Sequence, residues 1–193
     1  MNPQTKLTQL LGDLAIPLIG FYFWGWNMLF ILFFYILDVG VSTAFTVVKT
    51  KTIHKHQQSS NYPWKHIFLI LFGYFLTFYL VYFLILQISP KVSVENEIIR
   101  FLTIKEMGLP QGVLLFPLLI AGGYMQYKIS FLVPKSFETT AIDSLWHEHV
   151  KLFLLIVGVI ALLLGLSLWI VFPEWVYVWG IVLGSSGYRY YVR

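Results

Sequence analysis

The chain has 193 residues, of which 58% are hydrophobic, 19% aromatic and only 11% charged, with a net charge of +4 and no cysteine. Several apolar runs are long enough to span a bilayer, so this balance excludes an ordinary soluble domain. The modest charge gives no reason to invoke nucleic acid, and the missing cysteines remove disulfides, thiolate metal ligands and covalent haem attachment.

These features predict one integral membrane domain over 1–193, an all-α polytopic bundle of six transmembrane helices. Met1–Gln9 is polar with one lysine, and no small-residue cleavage site follows the first apolar run. A retained first span, Leu7–Gly25, is expected rather than a removed signal peptide. Asp13 and Pro17 interrupt it, and Phe21, Tyr22, Phe23, Trp24 and Trp26 read as an interfacial anchor. Asn27 is placed to cap a second span, Met28–Val48.

Within that second span lies Asp38, the sole Asp, Glu, Lys, Arg or His of Leu14–Val48. A carboxyl near hydrocarbon needs a partner, a proton or local water. Tyr35 and Ser42 stand three and four residues away, so Tyr35, Asp38 and Ser42 share one side of a helix. This stripe either satisfies itself as a seam between helices or lines a cavity. For Asp38, a structural hydrogen bond to Tyr74 or Thr77 competes with a proton- or ion-linked role and with a polar-ligand or lipid-headgroup site.

Thr50–Trp64 is polar and basic and reads as a loop near anionic headgroups. The third span is expected at Ile67–Ile88. Pro90–Pro110 carries Val94, Ile98, Phe101 and Leu102 at helical spacing, which predicts an amphipathic connecting helix on the outer side. A fourth span follows at Leu109–Tyr127, with Pro117 and Gly122-Gly123 marking it for a local irregularity.

Phe131–Trp146 forms the next connection. Thr140-Ala141-Ile142-Asp143 resembles a capping box, so a helix is expected to start there and run into the fifth span, Val150–Phe172. Asp143, His147 and Lys151 recur at four-residue spacing, with Glu148 and His149 between them. An Asp and a His on one helix face can supply two metal ligands or an acid–base pair. The competing readings are a solvated cap and an ion-pair latch. No HExxH, phosphate-binding loop or dinucleotide fingerprint occurs, and no cofactor is implied.

The last span is placed at Trp175–Val192, with a re-entrant segment as the alternative. Gly180, Gly184, Ser185, Ser186 and Gly187 suit close helix contact, as do Gly158 and Gly165 on the fifth span. Trp175, Tyr177 and Trp179 at one end, with Tyr190 and Tyr191 at the other, fit two aromatic belts. With the N-terminus inside, the inner segments hold ten basic residues and the outer connections only Lys91, Arg100 and Lys105. That asymmetry predicts cytoplasmic N- and C-termini in a bacterial inner membrane.

Pro17-Leu18-Ile19-Gly20, then Trp24 and Trp26, leading into Phe34-Tyr35-Ile36-Leu37-Asp38-Val39-Gly40, resembles a prokaryotic multi-pass membrane family, domain of unknown function 6498. Tyr35, Asp38 and Gly40 correspond to its second-span positions, with Asp38 in place of glutamate and Ile36 in place of tryptophan. Phe72-Gly73-Tyr74-Phe75 is similar to its third span, although a nearby histidine is missing. His149-Val150-Lys151-Leu152, followed by Gly158, is similar to a later histidine-to-glycine segment. The resemblance implies a membrane protein with interest at Asp38 and His149, and it implies no reaction.

Three functions remain in play. The first is a structural or partner-binding protein, its partner a membrane protein or a second copy in the lipid bilayer. The second is a small proton- or ion-coupled transporter using Asp38. The third is a lipid-modifying enzyme using the His147/His149 region.

Overall fold

A computed structural model describes residues 14–57, 64–88, 93–103, 111–170 and 172–192. The expectations for Met1–Asp13, for loop residues 58–63 and 104–110, and for the side chains of Arg189, Tyr190, Tyr191 and Arg193 lie outside the described residues. The described chain is helical: α1 (Leu14–Phe23), α2 (Met28–Gln57), α3 (Trp64–Ile88), α4 (Val94–Thr103), α5 (Gln111–Tyr127), α6 (Ile142–Ser167) and α7 (Glu174–Val192). Three stretches, Met28–Gln57, Trp64–Leu84 and Ile142–Ser167, are long and apolar enough to cross a membrane.

Gly25, at φ 64°, turns the chain between α1 and α2 in the left-handed region that glycine enters without steric cost. The turn folds Trp26 back so that its amide donates to the Gly20 carbonyl at 2.9 Å and its indole lies against Gly20. Trp26 is therefore a core residue rather than an interfacial anchor, while Tyr22 and Phe23 stay exposed. Asn27 caps α2 as expected, its Oδ1 accepting from the Phe30 amide at 3.0 Å. A second cap comes from far along the chain, where Glu174 Oε1 accepts from the Met28 amide at 2.6 Å. That carboxylate satisfies an orphan donor at the positive end of the helix dipole.

α2 runs 30 residues, nine past the end expected for its span. The extension is anchored: Thr50 and Ile53 are buried, and the Gln57 side-chain amide donates to the carbonyls of Phe137, Glu138 and Thr140. α5 passes through Pro117 and Gly122-Gly123 as a helix, and the irregularity falls later, in a π-helix at Lys128–Leu132. The wider turn brings the buried rings of Tyr127 and Phe131 together at 5.7 Å. α6 is continuous from Ile142, but Ala141 holds the cap position without any side-chain cap bond, so the expected Thr140 capping box does not form.

α7 is one helix through its Gly-Ser segment. Gly184 meets Val159 and Gly180 meets Leu163, which gives α6 and α7 a close seam, whereas among the described residues nothing approaches the Cβ positions of Gly158 and Gly165. Tyr177 is buried rather than part of a belt, and its hydroxyl accepts from the Phe172 amide. The packed interior falls into two clusters. The larger gathers Trp26, Phe30, Ile31, Phe101, Ile160, Tyr177 and their neighbours; the smaller gathers Ile53, Ile70, Tyr127, Phe131, Trp146 and Val150. Tyr74 packs against both.

Candidate functional site

Where the two apolar clusters meet, three helices contribute one polar group each. Thr43 Oγ1 of α2 lies 2.8 Å from His149 Nε2 of α6 and 3.2 Å from the Tyr74 hydroxyl of α3. The same oxygen donates to the Val39 carbonyl at 2.8 Å. A threonine hydroxyl has one proton and two lone pairs. With its proton on Val39, it accepts from Tyr74 O–H and from a protonated His149 Nε2, and its capacity is filled. This assignment places neutral His149 in the Nε2–H tautomer.

Helix phase explains why His149 turns inward while Asp143, His147, Glu148 and Lys151 do not. It sits three residues after Trp146 and four before Phe153, both buried on the face of α6 that meets α2 and α3. His149 itself is only 7% exposed. Asp143, His147, Glu148 and Lys151 are all exposed. The five residues grouped by sequence spacing therefore separate into a solvated surface set and one buried histidine.

Asp38, Tyr35 and Ser42 separate too. Asp38 is partly buried on α2. Tyr35 is buried and lines a narrow recess with Ile181 and Ser185 of α7. Ser42 is partly buried, and its carbonyl accepts from Thr46. Thr77 is buried and donates to the carbonyl of Gly73 on its own helix.

A second polar tie lies one to two turns along α2. Trp146, fully buried, donates its indole N–H to Thr50 Oγ1 at 2.8 Å, and Thr50 donates to the Thr46 carbonyl. His66 of α3 stacks on Trp146 at 6.3 Å and 25°, and His149 meets the same indole edge-on at 6.2 Å and 89°. His66 Nδ1 is buried and meets no hydrogen-bond partner among the described residues. Thr43, Thr50, Trp146 and His66 belong to no motif of the sequence. The signal was the threonine series at 43, 46 and 50, which repeats at helical spacing on the α2 side facing α6.

No family model matches the chain, and no match emerges among curated proteins or solved structures. Chemistry must therefore be read from the geometry. Among the described residues, no three His, Asp or Glu side chains converge as a metal-binding set. A hydroxyl 2.8 Å from an imidazole also describes a nucleophile and its base. Here the hydroxyl lies within the bundle and shares itself among three partners, an arrangement suited to holding helices together.

Proposed function

We propose that the chain is a small polytopic membrane protein with a structural or partner-binding role. Six spans, cytoplasmic termini and a location in the bacterial inner membrane complete the reading, supported by the ten-to-three division of basic residues. The observation that carries the structural role is the Thr43 hydroxyl, whose contacts join α2, α3 and α6. Polar ties across helices are a main source of specificity where lipid competes equally for apolar side chains.

A partner surface is available on α3. Its outward side presents Phe68, Phe72, Phe75, Tyr79, Tyr82 and Phe83, all exposed. A helix of a membrane-protein partner or of a second copy would pack on this side, and a lone bundle would present it to acyl chains.

Thr43→Val removes the hydroxyl at nearly constant shape, and Thr43→Ser keeps it. Valine is expected to lower the unfolding midpoint in detergent by the equivalent of about 1–2 kcal/mol, and serine to preserve most of it. Equal behaviour of the two variants would sink the structural assignment.

The partly buried Asp38, within the long apolar helix α2, favours a second reading, proton-linked transport. Asp38→Asn in proteoliposomes tests it. Loss of a pH-driven flux that the parent protein shows supports transport, and an unchanged flux rejects an Asp38 proton role.

A further inference from the structure

On the side of α2 facing α5, an apolar recess of about 280 Å³ is lined by Gly40, Ala44 and Val48 of α2 and by Phe116 and Ile120 of α5. Ala44, Val48, Phe116 and Ile120 are exposed, so the recess opens to the outside of the bundle. Its shape follows from one close approach. A Cβ at Gly123 would lie 2.5 Å from the Phe45 ring, so α5 is drawn onto α2 there. The recess occupies the space beside that contact, where small residues on α2 face Phe116 and Ile120.

The same stripe of α2 continues into charge. At 3.6 residues per turn, Lys51 and Lys55 both fall within about 20° of the direction of Ala44, on the line set by Gly40, Ala44 and Val48. Both lysines are exposed. From Gly40 to Lys51 the helix rises about 16 Å, close to half of a hydrocarbon core roughly 30 Å thick. A lipid chain lying in the recess would therefore bring its headgroup to the level of the two ammonium groups.

We propose that this groove seats one acyl chain of an anionic phospholipid, with the headgroup phosphate held by Lys51 and Lys55. The apolar walls take the chain, and the paired lysines select negative charge. The proposal rests on the membrane-spanning reading above, which carbonate extraction of membranes tests separately: an extracted protein defeats that reading before lipid selectivity is measured.

Native mass spectrometry of the full chain, titrated in detergent with phosphatidylglycerol or phosphatidylcholine, tests the site. The parent protein is expected to retain phosphatidylglycerol in preference to phosphatidylcholine. The double variant Lys51→Gln/Lys55→Gln should weaken that retention about thirtyfold, the factor two interfacial lysines contribute. Ala44→Leu fills the groove and should also displace the lipid. Its fold is checked by thermal unfolding, with Val48→Phe as a substitute should Ala44→Leu lower the midpoint. Equal retention of the two lipids overturns the proposal. So does retention by the groove-filling variant, which would mean a headgroup attracted to the surface alone, or retention by the lysine variant, which would remove the charge recognition.

Discussion

α2 and α3 are both long and apolar enough to cross a membrane, yet 56% of the most apolar stretch of α2 is buried within the protein and only 28% of that of α3. α2 packs on α4, α5, α6 and α7, whereas α3 leans chiefly on α6. Hydropathy does not distinguish them. What does is the distribution of small and hydroxylated residues. α2 carries Thr43, Thr46 and Thr50 along one side and Gly40 and Ala44 along another, so neighbours approach on several sides. α3 confines Gly73, Tyr74 and Thr77 to a single side and spends the rest on large aromatics. In a bilayer, close packing and interhelical polar bonds make a hub, because lipid solvates an apolar side chain as well as a neighbouring helix does.

That contrast can be broken at four places. Ile31, fully buried on α2, should be the most sensitive. Ile31→Ala is expected to cost about 2 kcal/mol, the low end for a core truncation because packing is lost without transfer to water. An unchanged unfolding midpoint in detergent would remove α2 from the centre of the fold.

Gly73 tests the one committed side of α3, since a Cβ there would run into Phe153. Gly73→Val should cost about 1.5 kcal/mol by overpacking and loosen the α3–α6 pair. Protease protection of α3 that survives this change would show that the pair is held elsewhere. Trp146→Phe removes the indole N–H from Thr50 and should lower stability by about 1 kcal/mol. If Thr50→Val adds nothing further in the double variant, the two changes act through that bond.

The smallest effect belongs to the outward side of α3. Phe75, 71% exposed, should be replaceable by alanine within about 0.5 kcal/mol in the detergent-solubilised monomer. A loss comparable to that of Ile31→Ala would mean that this side is already covered.

Much of the helix layout could be read from the chain. Long apolar runs place α3, α6 and α7, and Asn27 marks the start of α2. The end of α2 was hidden because Lys51, His54, Lys55 and His56 have the composition of a loop. Their helix is held by tertiary partners, the Phe137–Thr140 carbonyls gripped by Gln57 and the pocket that buries Ile53. Trp26 and Tyr177 were misread as anchors for a related reason: an aromatic residue near a helix end looks alike whether it meets headgroups or folds back over a glycine. At the polar cluster, Tyr74 is visible as a polar residue within an apolar run, as Asp38 is on α2. His149 was grouped with the wrong neighbours by the Asp143–His147–Lys151 spacing, although its own phase with Trp146 and Phe153 puts it on the apolar side. Thr43 is the least conspicuous, since its recurrence with Thr46 and Thr50 marks a side of α2 without naming the helices it joins.

The carboxylate of Glu174 on the first amide of α2 has a consequence in time. The two residues are 146 positions apart. A ribosome delivers α2 long before α7, so the central helix forms with that donor waiting for its acceptor. A helix start made early in synthesis is thus completed by a side chain made much later.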